Sequence, residues 1–403
     1  MPASPEIREA IRQGSWIRKM FEEGALLIAE KGAENVYDFT LGNPYGDPPP
    51  RLAAEIARLA AAPGPDLHRY MPNAGFADVR VKVAEHMRKA TGLPYSQELI
   101  VMTVGAAGAI NVALKAILSP GDAVIVIAPY FVEYLFYVRN AGGVPIVAES
   151  TGEFQLDLDA IRNAISRRTK ALIVNSPNNP TGAVYPAEAL LALSRVLAEG
   201  EKLTRGPIYA ISDEPYRKIV YPGTSFSPPA ASIRNTLVAY SHSKDLNLPG
   251  ERIGYLAVSP RAADAGEVAE GCVFCNRVLG FVNAPSLMQR AVAGFQEPGA
   301  DLSVYGRNRD LLVAPLREAG FSLVPPGGAF YLFPRSPSAD EMKFVAAARE
   351  ENVLIVPGGG FGRKGHFRVA YCTSTKTVER SLPAWRRLGE RFFGKTGKKR
   401  TKG

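Results

Sequence analysis

The strongest constraint on how this chain can fold is an alternation. Short apolar runs closed by turn residues are separated by stretches of helical period, which is the pattern of a parallel sheet covered by helices. It predicts strands near Leu99–Val104, Ala123–Ile127, Pro145–Val147, Ala171–Asn175, Ile208–Ser212, Leu237–Ser241 and Ile253–Val258. Helices are expected between most of them. Gly105–Leu118, with Ile110, Ala113, Leu114 and Ile117 on one stripe, is one, and Ala187–Glu199 is another. Three polar motifs fall where predicted strands end. Asn175 closes a strand just before Asn179-Pro180-Thr181-Gly182, Asp213-Glu214-Pro215-Tyr216 follows a second, and Ser241-His242-Ser243-Lys244 follows a third, with Arg252 eight residues beyond the lysine. Open parallel sheets bind ligands at that edge.

From about Pro285 the character changes. The pattern there predicts a long helix, strands around Ser322–Val324, Phe330–Phe333, Val353–Val356 and Phe367–Tyr371, and helices over Ala339–Glu351 and Lys376–Phe393. A length of 403 residues fits two domains. The expected division is a large domain over 46–289, with 1–45 and 290–393 forming a smaller α/β domain. The Pro-rich segment Asn43 to Pro50 would be the first crossing between them.

With 46% hydrophobic and 22% charged residues the chain reads as globular. The net charge of +9 would hint at nucleic acid were it spread over the chain. Instead Lys395, Lys398, Lys399, Arg400 and Lys402 supply five of those charges, in a segment without an acid or an apolar face. Residues 394–403 are therefore expected to form a disordered basic tail. No apolar run is long enough for a membrane span and the first residues lack a secretory pattern, so no membrane partner and a cytoplasmic location are expected. The cysteines are Cys272, Cys275 and Cys372, too few for a disulfide framework. Cys272-Val-Phe-Cys275 has metal-binding spacing, but there is no second such pair and none of the four histidines is near in sequence. Small apolar residues in a helix is the better reading, and no metal is expected.

The three motifs supply what pyridoxal 5′-phosphate (PLP) requires. These are an amine to carry it as a Schiff base, a carboxylate facing the pyridine nitrogen, and cationic or backbone donors for the phosphate. As a set they resemble the class I aminotransferases of PLP fold type I, and bacterial aspartate-aminotransferase-like enzymes in particular, over nearly the whole chain from about Ser15 to about Leu388. The resemblance implies an α/β fold in which a mostly parallel, mixed sheet lies between helices in the large domain.

By that resemblance Lys244 is the Schiff-base lysine, whose freed amine moves the proton between substrate Cα and cofactor. Asp213 faces the pyridine nitrogen, and Tyr216 and Asn179 share the ring oxygen. The phosphate falls to Arg252, Ser241 and the start of the helix after Gly105, where backbone N–H groups and the helix dipole favour an anion. The commoner family pattern has a hydroxyl residue in that loop. Here Ala106 and Ala107 leave only backbone donors. Phe131 is expected on the cofactor face, with Tyr130 as the alternative. Arg368 matches the arginine that grips the substrate α-carboxylate, and its planar fork suits that group bidentately. Gly42 resembles the glycine beside the carboxylate. Tyr70 is similar to the tyrosine that reaches the phosphate of a neighbouring subunit, which implies a homodimer with shared sites. Gly327-Gly328-Ala329-Phe330-Tyr331 resembles a segment at the domain boundary, and Ser15-Trp16-Ile17-Arg18 the stretch that closes over substrate. Arg277, Asn283 and Arg18 are candidates for contacting the substrate side chain.

The function implied is exchange of an amino group between an α-amino acid, aspartate or another dicarboxylic acid among the candidates, and a 2-oxo acid by a ping-pong cycle. The same residues also suit β-elimination of sulfur amino acids or a Cα–Cα or decarboxylating reaction, because the orientation at Cα selects which bond breaks. A PLP-domain regulator that binds nucleic acid is the rival from another class. It is disfavoured because there is no room before Ser15 for a DNA-binding module and no helix-turn-helix pattern in the tail.

Overall fold

The computed structural model describes residues 23–62, 64–297 and 301–394, with positions 4, 7, 8 and 11. The strands in chain order are β1 (Tyr37–Asp38), β2 (Ile100–Thr103), β3 (Ala123–Ala128), β4 (Val144–Glu149), β5 (Thr169–Asn175), β6 (Tyr209–Asp213), β7 (Thr236–Ser241), β8 (Gly254–Val258), β9 (Tyr331–Leu332), β10 (Val353–Leu354), β11 (Val356–Pro357) and β12 (Phe367–Ala370). Seven of them make one sheet in the order β2-β8-β7-β6-β5-β3-β4. All its strands run parallel except β8, which is antiparallel to both its neighbours.

The central strands are buried on both faces, so their sequences read as continuous apolar runs. Within β5, Ala171 and Ile173 join the core beneath the helix Gly105–Ile117, while Leu172 and Val174 face the helix Ala187–Thr204. The register aligns the motifs. Asn175 pairs with Asp213 across β5 and β6, and Ser241 pairs with Gly254 across β7 and β8. Residues as far apart in the chain as Asn175 and Gly254 thereby share one sheet edge.

A smaller assembly contains the three-stranded antiparallel sheet β11-β12-β9 and the pair β1-β10. Its core gathers Phe321, Phe344, Phe367 and Trp385 with Leu312 and Leu316 of the helix Ser303–Glu318. Because β1 pairs with β10, the segment ahead of the large sheet is stitched to the far end of the chain. The helix Thr375–Phe393 starts at Ser374, whose hydroxyl accepts from the Thr377 N–H.

Three expectations for this region need correction. The long helix after Pro285 is two helices, Ser286–Val292 and Ser303–Glu318, with Gly294 and Pro298-Gly299 between them, residues that do not sustain a helix interior. Ser322–Val324 is not a strand, since Pro325 and Pro326 follow at once and lack the N–H that a ladder needs. Val353–Val356 is split at Ile355, with β10 joining β1 and β11 joining β12. Cys272 and Cys275 are buried free thiols in the helix Ala265–Val278. Among the described residues no helix is long and apolar enough to cross a membrane. The expected tail beyond Gly394, and Ser15 to Arg18, lie outside the described residues.

Candidate active site

A cleft of about 380 Å³ opens at the carboxyl edge of the large sheet and is closed on its other side by Gly42, Tyr331 and Arg368. Lys244 enters it three residues beyond the end of β7, and its Nζ donates to the Gly42 carbonyl at 2.6 Å. Burial, together with the nearby Arg368 and Arg252 charges, pushes this amine down to about 8. An ammonium so enclosed gives up its proton far more readily than a surface lysine.

Asp213 ends β6. Its Oδ2 accepts from the Tyr134 hydroxyl, and Asn175 donates to its carbonyl oxygen at 3.0 Å. Its other carboxyl oxygen, Oδ1, is buried without a partner among the described residues. Burial raises the acid to about 7 against the opposing bond from Tyr134, and the neighbouring Glu214 adds to the rise. A buried carboxylate oxygen with nothing to accept is the feature that a protonated ring nitrogen would satisfy.

Arg368, on β12, spans the gap between the two assemblies. Its Nη1 donates to Asn179 Oδ1 at 3.0 Å and its Nη2 to the Thr40 carbonyl at 2.6 Å, while Nε is buried and unpartnered. The guanidinium lies over the rings of Phe361 and Tyr331, at 4.7 and 4.9 Å from their centroids. The hydroxyls of Tyr216 and Tyr331 meet at 2.7 Å, and burial holds the Tyr216 phenol well above its usual range. A Cβ on Gly42 would stand 2.0 Å from the Tyr331 hydroxyl, so only glycine fits there.

The opposite end of the cleft suits an anion. The helix Gly105–Ile117 begins with no side-chain cap, leaving its first N–H groups for a ligand, and Ala106 and Ala107 line the cleft. Gly105 itself is set behind them at φ 76°, where a Cβ would come within 3.0 Å of Arg252 Nη2. Arg252 is anchored by Nη1 on the Pro249 carbonyl at 2.9 Å, and Ser241 Oγ lies 2.7 Å from Ser243 Oγ. The loop is held tightly to the sheet, since a Cβ on Gly254 would meet the Tyr240 carbonyl oxygen at 2.1 Å and Gly105 Cα at 2.9 Å. A phosphate at this end, a reactive carbon near Lys244 and a ring nitrogen at Asp213 describe PLP, and the residues present fit it.

Phe131 lines the cleft, whereas the N–H of Tyr130 bonds to the Phe361 carbonyl and its ring packs against Gly362. Tyr70 is 95% exposed and lies outside the cleft. Arg277 rests on the Phe274 ring and Asn283 donates to the Pro72 carbonyl; neither reaches the cleft. Arg18 is outside the described residues. Sequence reasoning passed over Tyr134, Tyr137 and Glu133. Tyr134 and Tyr137 are one turn apart on the helix Glu133–Asn140, and helical spacing applied to that stretch was the available signal.

Residues 34–384 match the family model described as aminotransferase class I and II. The aspartate/prephenate aminotransferase of Thermus thermophilus is 38% identical over 90% of this chain and 93% of its own length. The aspartate aminotransferase of Bacillus subtilis is 32% identical over 80% of this chain and 84% of its own. Among solved structures, an aminotransferase from Eubacterium rectale superposes with a TM-score of 0.93 at 37% identity, covering 97% of this chain and 99% of that one. The Thermus thermophilus aspartate aminotransferase with maleate gives 0.81 at 32% identity, covering 92% and 96%.

Proposed function

This chain belongs to the class I and II aminotransferases, a family that works with PLP, and from that premise we propose that it exchanges an amino group between an α-amino acid and a 2-oxo acid in a ping-pong cycle. Bound PLP supplies an electron sink at the substrate Cα and carries the amino group between the two half-reactions. The residues do the rest. Lys244, whose amine burial lowers in the cofactor-free protein, would be the group that moves the proton at the substrate Cα. Asp213, with its Oδ1 unpartnered among the described residues, would hold the pyridine nitrogen and favour its protonated form. Arg368 holds the Asn179 side-chain oxygen, which leaves the amide N–H₂ of Asn179, with the Tyr216 hydroxyl in the same cleft, as the donors that would serve the ring oxygen. Arg368 holds the α-carboxylate, and Gly42 leaves room for it.

The observation that carries this reading is the unpartnered Asp213 Oδ1 in the cleft that Lys244 enters. Arg252, Ser241 and the helix start at Gly105 hold the phosphate. We place the working unit as a homodimer, with the exposed Tyr70 serving the phosphate of the other subunit, and divide each chain into 46–289 and a smaller domain of 1–45 with 290–393. Aspartate, the donor in the names of the Thermus and Bacillus proteins, heads the donor panel. The test is a half-reaction screen. Each amino acid is added to the holoenzyme, the cofactor absorbance is followed, and products are identified with a 2-oxo acid present. A new amino acid is expected. Release of ammonia and pyruvate instead would make the protein a β-lyase.

A further inference from the structure

Asp213 and Lys244 are each followed in the chain by a further acid, Glu214 and Asp245, and neither of these lines the cleft. Both are buried away from it. Asp245 gathers three donors on a single carboxylate oxygen. Its Oδ2 accepts from the Tyr240 hydroxyl at 2.6 Å and from Lys218 Nζ at 2.8 Å, and lies 3.3 Å from His242 Nδ1. Gln296 Nε2 donates to the Val292 carbonyl at 2.8 Å and lies 3.5 Å from His242 Nε2. An amide nitrogen only donates, so His242 Nε2 accepts, and Nδ1 carries the hydrogen that Asp245 receives. Lys218 Nζ also donates to the Gln296 carbonyl at 2.6 Å, which closes a ring of four residues.

The chain positions of these partners give the ring its effect. Tyr240 lies near the end of β7, and the contact from His242 to Asp245 spans Ser243 and Lys244, so the turn that carries the lysine is clipped on both sides. Lys218 ties that turn to the segment that leaves β6 after Asp213. The same segment is held again by Arg217, which donates to Glu214 Oε2 at 3.3 Å and lies 3.8 Å over the Tyr240 ring centroid. A lysine amine stands on a flexible four-carbon stem, so its place is only as definite as that of the backbone it starts from. A displacement of about 1 Å at a reacting group can cost about a hundredfold in rate.

We propose that Asp245 is a positioning residue for Lys244. By holding Tyr240, His242 and Lys218 together, its carboxylate fixes the lysine turn against the Asp213 segment and so sets where the Lys244 amine stands in the cleft. The inference rests on the amino-transfer reading above, in which Lys244 is the amine that carries the cofactor. Because Asp245 does not line the cleft, its loss acts on the reactions of the lysine and leaves the grip on phosphate and α-carboxylate in place.

The test follows covalent capture of the cofactor by cofactor-free wild type, Asp245→Asn and Tyr240→Phe, using stopped-flow absorbance. Binding of inorganic phosphate to the same cofactor-free proteins and steady-state kinetics of each holoenzyme are measured beside it. Asp245→Asn should slow capture and lower kcat, each about thirtyfold, with both KM values and the phosphate dissociation constant within about twofold of wild type. Tyr240→Phe removes one of three donors and keeps the carboxylate, and should slow capture about fivefold. Capture and kcat within about twofold of wild type in Asp245→Asn overturn the proposal. So does a loss of phosphate affinity or a rise in KM as large as the fall in kcat, which is what a loosened fold would give. If Asp245→Asn does not fold, unchanged capture in Tyr240→Phe overturns it. Capture is read without any amino donor, so slowed capture in a protein that exchanges amino groups with no donor sinks the amino-transfer reading alone.

Discussion

Tyr134 donates its phenolic hydrogen to Oδ2 of Asp213, and among the described residues Oδ1 of the same carboxylate remains buried with nothing to accept. Burial raises this acid from 3.8 to about 7, so between those values the folded protein holds a proton that the unfolded chain has lost. Stability of the cofactor-free protein therefore falls as pH rises through that window. Asp213→Asn removes the cost. Its melting temperature without cofactor should exceed that of wild type at pH 8 and converge with it near pH 4. With cofactor, kcat should fall by about 10² or more. A cofactor-free variant no more stable than wild type at pH 8 would contradict the electrostatics.

Lys244 gives the opposite slope. Its amine is lowered from 10.5 to about 8, so the folded state releases a proton that the unfolded chain retains, and stability rises with pH across that range. Cofactor-free Lys244→Met should be more stable than wild type at pH 7, with the difference shrinking towards pH 10. Borohydride reduction of the wild-type holoenzyme should fix the cofactor to the peptide carrying Lys244. Labelling at another lysine would remove the assignment.

Arg368 meets Asn179 and Thr40 through two different nitrogens, an arrangement that a point charge does not reproduce. Arg368→Lys should raise KM for donor and acceptor together, roughly tenfold or more, since in the proposed reading both present an α-carboxylate to the same fork. Steady-state kinetics in both directions check this. A change confined to one substrate would place Arg368 on its side chain instead.

Gly254 brings β8 against the loop at Gly105, with no space for a methyl group. Gly254→Ala should cost about 1–3 kcal/mol in denaturant unfolding and weaken cofactor binding, because the displaced backbone is the loop proposed to hold the phosphate. Unchanged cofactor affinity would separate this packing from the anion site.

Tyr70 is exposed in one chain, while Lys244 and Arg252 line that chain's own cleft. In mixed dimers of Lys244→Ala with Tyr70→Phe, one site carries both lesions and the other neither. Activity of verified hybrids should exceed that of either parent homodimer. Hybrids without a restored site would mean that Tyr70 does not cross the interface.

Sequence alone determined the features that are local in the chain. Burial on both faces made β3, β5 and β6 legible as continuous apolar runs, and turn chemistry marked where they stop, so Asn179, Asp213 and Lys244 could be placed at one sheet edge before any coordinates. The tertiary structure decided which of these side chains meet. Lys244 reaches the carbonyl of Gly42 across 202 positions, Arg368 reaches Asn179 across 189, and Tyr134 reaches Asp213 across 79. No periodicity encodes such pairs, because each depends on how two assemblies pack. The same holds for Glu133, which reads in sequence as an ordinary acidic helix start. Only the packing around it half-buries the carboxylate in the cleft and, among the described residues, leaves it without a partner, since burial and unmet hydrogen bonding are properties of the folded surroundings.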